Sequence, residues 1–215
     1  MIYKNNTPLY ERPDRSFFLR KDVTQAAKDL LGMILVSSKN GVITAGKIVE
    51  TEAYCGKGDK ACHAHGKRTP RTEVMYQDGG VAYIYLCYGI HHLINIVTNV
   101  AGQADAVLIR ALEPIEGIEV MRKRRNFTTA KLASGPGTLT QAMDIKVHQT
   151  GTDLLGDEIW IAKSQEKEFE ILEGTRIGVD YAQEDALRPW RFIIKGNKFV
   201  SKPIRSKKEG TTAFK

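Results

Sequence analysis

The chain has 215 residues, with 32 Lys plus Arg against 25 Asp plus Glu, a formal net charge of +7. That length fits one domain with a core large enough to need no disulfide staples, and three cysteines cannot all pair within one chain, which points to thiols in a reducing, intracellular compartment. No apolar run approaches the ~20 residues of a membrane helix and the start lacks the apolar core of a secretory signal, so a soluble protein without a membrane partner is expected, in the cytoplasm or nucleoid if bacterial.

In chain order, Asp22-Val-Thr-Gln25 reads as a capping box, and Val23, Ala26, Ala27, Leu30 and Leu31 follow at helical spacing, with Gly32 as the stop. Met33–Ser37 and Ile43–Ala53 read as strands joined by a turn at Lys39-Asn40-Gly41. Residues 57–80 form a long polar loop, of a length that is usually functional. Val81–Tyr88 and His92–Thr98 are strands meeting near Gly89, and Ala106–Leu112 is a buried strand. A basic helix is expected at Ile115–Arg125 and a short one capped by Thr138 and running through Met143. Short strands are expected at Glu158–Ile161, Arg176–Val179 and Arg191–Lys195, and residues 201–215 read as a basic, mobile tail. Adjacent long strands with few helices argue for an α+β fold with a largely antiparallel sheet, and against a doubly wound one.

The positive excess suggests an anionic partner, nucleic acid first. It is concentrated. Residues 188–215 sum to +8 and residues 1–187 to −1, with further basic runs at Lys57–Arg71 and Arg122–Lys131. Each run alone is better explained by a solvated face.

Several residues carry candidate chemistry. Glu50, Glu52 and Tyr54 share one face of an otherwise apolar strand. They lie on a solvated sheet edge, or Glu52 is a buried acid placed for base catalysis. Arg110 sits inside an apolar strand and needs a partner, for which Glu52 is suited, as a structural ion pair or as a site pair. Tyr83 and Tyr85 share a strand face, fit for packing or for stacking a nucleobase, and Tyr88 at a Gly-flanked turn is able to protrude and wedge into a duplex. Cys55, Cys62, His63 and His65 invite zinc, but their spacing fits no common zinc pattern and no metal is expected. Gly135-Pro-Gly137 before a short helix is a phosphate-binding arrangement without the Lys-Ser/Thr of a nucleotide-binding loop.

Taken together, Lys47-Ile-Val-Glu-Thr-Glu-Ala-Tyr54, Ala61-Cys-His63, Arg68-Thr-Pro-Arg71, Tyr83-Ile-Tyr-Leu-Cys-Tyr-Gly89, Val107-Leu-Ile-Arg-Ala-Leu-Glu-Pro114 and Leu132-Ala-Ser-Gly-Pro-Gly137 strongly resemble the alkyladenine (3-methyladenine) DNA glycosylase family of the mammalian type. The resemblance runs in order from about Asp22 to Ile194. It implies one domain over residues 1–200, with a curved, partly barrel-like sheet flanked by a few helices. The implied activity is hydrolysis of the N-glycosidic bond of a damaged purine flipped out of double-stranded DNA, by a monomer without metal, cofactor or lysine Schiff base. By resemblance Glu52 is the general base that activates water, and Arg110 lies near that water. Tyr54 and Tyr85 sandwich the base, His63 walls the pocket, and Asn95 discriminates against guanine's amino group. Tyr88 enters the duplex, and Arg68 and Arg71 lie beside DNA phosphates. His65, Lys67, His91 and His92 depart from better-known members. Two other classes stay open at this stage. One is a non-catalytic binder of damaged or structured nucleic acid; the other, a zinc-dependent base deaminase, lacks the H-x-E…P-C-x-x-C pattern.

Overall fold

The computed structural model describes residues 3–4, 7–8, 11–126, 131–164 and 168–204. Two strands of two residues, β1 (Tyr3–Lys4) and β2 (Thr7–Pro8), pair with each other near the start. Helix α1 (Val23–Asp29) is capped by Asp22, whose carboxylate accepts from the backbone N–H of Thr24 at 2.8 Å and of Gln25 at 3.3 Å. The reciprocal half of the expected capping box does not form. The Gln25 amide instead reaches one turn forward to Asp29, at 2.8 Å.

Strands β3 (Ile34–Lys39) and β4 (Val42–Tyr54) form a hairpin through Asn40 and Gly41, both at positive φ (51° and 77°), the pair that a tight right-twisting turn requires. The remaining strands are β5 (Ala82–Cys87), β6 (His91–Thr98), β7 (Asp105–Glu116), β8 (Ile159–Ala162), β9 (Ile171–Gly174) and β10 (Arg191–Ile194). All pair antiparallel, in the order β5-β6-β7-β4-β10-β9, with β3 beside the first half of β4 and β8 beyond it. The fold is a single α+β domain built on this curled antiparallel sheet. Strand β4 is its spine. Its first half pairs with β3 and its second with β10 on one edge, while β7 runs along the other.

Alternation assigns the two faces. Val49, Ala53, Ala82, Ile84, Ile94, Ile96, Val107, Ile109 and Ala111 point into the main core, together with buried residues of α1 and of α3 (Pro136–Met143). The opposite face of β4–β7 carries Tyr54, Tyr83, Tyr85, Val97 and Ala106, and residues 62–76 of the long loop close over it. Among the described residues no helix is long and apolar enough to cross a membrane.

Three expected elements move. Strand β7 continues through Pro114 to Glu116, so α2 is Ile118–Arg125, entered from Gly117 at φ 71°. Pro114 pairs with Gly46 beside a register shift, where the ladder is already interrupted and a missing N–H is tolerated. The strand expected at Arg176–Val179 lies earlier, as β9, because the Arg176 guanidinium is held by Asp59 and the backbone turns at Gly178 (φ 76°). Helix α3 begins at Pro136 with Gly135 as its cap, and the Thr138 hydroxyl donates to the Gly135 carbonyl at 2.9 Å from inside the first turn.

Candidate active site

One row of paired residues lays out the site. Arg191, Glu52, Leu108, Asn95 and Tyr83 are successive partners across β10, β4, β7, β6 and β5. Opposite residues of antiparallel strands project to the same side, so the ladder alone gathers an arginine, an acid, an amide and a phenol on the loop-covered face. One pleat away lie Tyr54, Tyr85 and Arg110. Between sheet and loop is a cleft with about 330 Å³ of empty space, its mouth included, lined by Tyr54, His63, Tyr83, Tyr85, Asn95 and Tyr181 among others. Sequence reasoning picked out the first five; Tyr181 sits in a 3-10 segment, Asp180–Leu187, that offers no periodic signal.

Glu50 and Glu52 have no exposed surface, which settles the edge-or-interior alternative in favour of the interior. Glu52 lies behind Tyr54. Its Oε2 accepts from the Tyr54 hydroxyl at 2.7 Å and forms an ion pair with Arg110 Nη1 at 3.2 Å, and its Oε1 accepts from the Ile177 N–H at 2.8 Å. Burial raises its pKa above the ordinary carboxylate range. Arg110, the Tyr54 hydroxyl and the Ile177 amide pull the other way, and the nearby Glu50 charge pushes up. Arg110 also binds Glu50, Nε to Oε1 at 3.0 Å. The expected Glu52–Arg110 pair is therefore one edge of a larger cluster.

A second buried pair holds the back of the cleft. Arg176 binds Asp59 with both terminal nitrogens, at 2.6 and 2.8 Å, and donates to the carbonyls of Ala53 and Asp185 at 2.9 Å each. Its guanidinium lies over the Tyr54 ring at 4.8 Å. This pair joins the long loop to the segment that carries the Ile177 amide. Nothing in the local sequence marks Arg176 for the role.

His63 Nδ1 is 3.0 Å from the Tyr83 hydroxyl, and Arg71 Nε donates to that hydroxyl at 3.2 Å. Arginine only donates, so the Tyr83 oxygen accepts from Arg71, and the direction of its hydrogen bond with Nδ1 follows the His63 tautomer. Arg71 Nη2, 3.2 Å from Nδ1 and 3.4 Å from Nε2, does not choose between the tautomers. Burial lowers the His63 pKa to about 4, with Arg71 and Lys67 adding to the effect. The His63 ring meets Tyr85 edge-on at 4.6 Å, Tyr85 is stacked on Tyr83 at 5.6 Å, and Arg71 covers Tyr85 at 5.2 Å. Asn95 donates to the Tyr83 carbonyl at 3.1 Å. Burial raises the pKa of Tyr54 and Tyr85, so both present neutral faces.

Tyr88 stands outside the cleft, 89% exposed, on the turn between β5 and β6. Gly137 approaches the base of that hairpin so closely that a Cβ there would be 2.9 Å from the His91 ring, which explains the glycine better than a phosphate does. Arg68 is bound by Glu73 and lies over the Tyr76 ring at 4.4 Å. Arg68 and Arg71 thus both have protein partners. Cys55, Cys62 and Cys87 are free thiols, and burial raises the Cys62 thiol to about 12. Among the described residues no three or more His, Cys, Asp or Glu side chains converge as a metal site would require.

The family model for methylpurine-DNA glycosylase matches residues 16–198. Several relatives carry the name "Putative 3-methyladenine DNA glycosylase". The chain is 47% identical to one from Clostridium acetobutylicum over 194 residues, covering 86% of this chain and 95% of the relative. It is 45% identical to one from Natranaerobius thermophilus over 190 residues (86% and 96%), and 46% identical to one from Bacillus licheniformis over 187 residues (86% and 94%).

Proposed function

The chain belongs to the methylpurine-DNA glycosylase family, and from that premise we propose that it removes 3-methyladenine and other alkylated purines from duplex DNA and leaves an abasic site. The damaged nucleotide rotates out of the stack, at a cost of a few kcal/mol that weak pairing reduces. Its base enters the cleft between Tyr54 and the Tyr85–His63 wall. A cationic alkylpurine between neutral phenol rings gains about 1–2 kcal/mol from cation–π attraction when desolvated. Glu52 takes a proton from water as the water oxygen bonds to the sugar C1′. The C1′–N bond breaks and its electron pair leaves with the base, cancelling the positive charge of the base. This is the base half of an inverting glycosidase, with no acid needed for a cationic leaving group.

The observation that carries the reading is a fully buried Glu52, bonded to Arg110, directly behind the tyrosine-walled cleft. A protein that only gripped damaged DNA would gain nothing from a buried acid whose desolvation costs several kcal/mol. In this reading Asn95, at the cleft wall, meets the edge of the purine, and Tyr88 fills the space the base leaves in the duplex. The test is release of free base from methylated duplex DNA by the wild type and by Glu52→Gln. The variant is expected to bind lesion DNA with little change and to release no base. Wild-type turnover by Glu52→Gln would refute the role of Glu52; no release by the wild type would refute the activity.

A further inference from the structure

The reaction above uses one of the two buried carboxylates of β4. Glu50, the other, is held from four directions: by Arg110 Nε at 3.0 Å, Arg191 Nη1 at 3.1 Å, the Ser201 N–H at 2.6 Å and the Ser201 hydroxyl at 2.9 Å. Register shifts on both sides of Glu50 take it out of simple alternation, and it meets Arg110 together with Glu52. Arg110 is the group the two acids share.

A lone-pair count shows what the sharing does. A carboxylate offers about four acceptor positions. On Glu52 hydrogen bonds take two, from Tyr54 on Oε2 and from the Ile177 amide on Oε1, and Arg110 Nη1 stands as an ion pair 3.2 Å from Oε2. One position on Oε1 is left for water. A guanidinium facing a single carboxylate closes on both oxygens as a fork. Such a fork on Glu52 would take that position on Oε1. Arg110 does not close because its Nε edge is bound to Glu50.

We propose that Glu50 is the positioning residue of the site: it holds Arg110 by the Nε edge, keeps the guanidinium from forking onto Glu52, and so preserves the lone pair that receives the water proton. The proposal rests on Glu52 being the base. The Ser201 contacts give it a further element, because the start of the C-terminal segment braces the carboxylate that braces Arg110.

The groups facing Glu52 are Arg110 from β7, Glu50 and Tyr54 from β4, Arg191 as its partner on β10, Arg176 and the Ile177 amide from the turn after β9, and Tyr85 and Tyr181 at the cleft. Replacing Glu50 changes two of these influences in the same direction. A like charge is lost, and Arg110 moves fully onto Glu52. Both lower the pH at which Glu52 gives up its proton.

The experiment is the pH profile of single-turnover base release from a duplex carrying 7-methylguanine, for the wild type, Glu50→Gln and Glu50→Asp, with folded enzyme counted by lesion-DNA binding. In Glu50→Gln the acid limb is expected to move down by about one pH unit, while the plateau rate falls on the order of 10²-fold. Glu50→Asp keeps a charge for both arginines, and so the fold, but draws the carboxylate away from Nε. It is expected to shift the limb the same way by less. An acid limb unmoved in both variants, with a lower plateau tracking only the loss of folded protein, would overturn the proposal. If Glu52→Gln keeps wild-type turnover, the base assignment fails and the proposal fails with it, a result distinguishable from an unmoved limb in an enzyme that needs Glu52.

Discussion

The turn that carries Tyr88 makes opposite demands on the free protein and on the complex, and Tyr88→Ala separates them. In the free protein the ring packs against little. It is 89% exposed, and its neighbours Leu86 and Ile90 are also exposed. Truncating such a side chain changes stability by no more than about 0.5 kcal/mol, about 1–2 °C in Tm for a chain of this size. The backbone is held at φ 50°, beside Gly89 at 74°, a conformation that costs a side-chain-bearing residue roughly 1 kcal/mol and that alanine retains. In the complex, a ring inserted where the purine left recovers stacking worth about 1–3 kcal/mol. Its loss should lower the flipped fraction about 5- to 150-fold with the fold intact. The assay is 2-aminopurine fluorescence beside the lesion, with single-turnover release and Tm measured on the same sample. Tyr88→Gly, which relieves the positive φ but also lacks the ring, should flip as poorly as the alanine variant. An unchanged fluorescence response in Tyr88→Ala would refute the wedge, and a Tm loss of many degrees would show that the ring is structural.

Two other outcomes follow from the charges. His63 has a folded pKa of about 4 against 6.5 unfolded, so the unfolded chain binds the extra proton first. Stability from this group is complete above pH 6.5 and is lost as the pH falls toward 4. Thermal melts from pH 7 to 4.5 should decline less steeply in His63→Gln, and equal slopes would contradict the lowered His63 pKa. Deleting residues 205–215, which sum to +3 and leave Ser201 on Glu50, should reduce the slope of log affinity against log salt by up to about 3 and leave base release from bound DNA unchanged. An unaltered slope would show that the tail makes no phosphate contact.

The sheet was legible because its signals are local. Val, Ile and Leu alternating with Tyr and Asn mark β5 and β6, and Asn-Gly fixes the β3–β4 turn whatever surrounds it. Glu52 and Arg110 stood out as charges among apolar neighbours. Apart from Glu52–Arg110, the partnerships were not legible. Arg176 and Asp59 are 117 residues apart, and Glu50 meets Ser201 across 151. No spacing rule reaches that far. The boundary drawn at Ser201 followed composition, since Lys-rich sequence reads as solvated, yet the first residue past it donates twice to a buried acid. Composition also overstated the free positive charge: Arg188, Arg191 and Lys195, all in the basic C-terminal run, are paired with Asp185, Glu50 and Glu170.

The buried charges around the site bear on which leaving groups the proposed reaction favours. Glu50, Glu52 and Asp59 face Arg110, Arg176 and Arg191, three acids against three arginines, so the cluster is close to neutral when Glu52 is ionised. A cationic alkylpurine entering the cleft meets no net repulsion from this cluster. When Glu52 takes the water proton the cluster gains one positive charge, and in the same step the departing base loses one. Charge moves from the cleft to the arginines behind it, and no opposite charges are created. A neutral base such as hypoxanthine departs as an anion unless something protonates it, which leaves a negative charge in the cleft and a positive one in the cluster. Separating those charges in a low-dielectric site is costly, and the described cleft offers His63 as a neutral ring whose low pKa makes it a poor source of bound protons at neutral pH. The same arrangement that lets one buried carboxylate suffice for a cationic lesion therefore ranks neutral purines as the harder substrates.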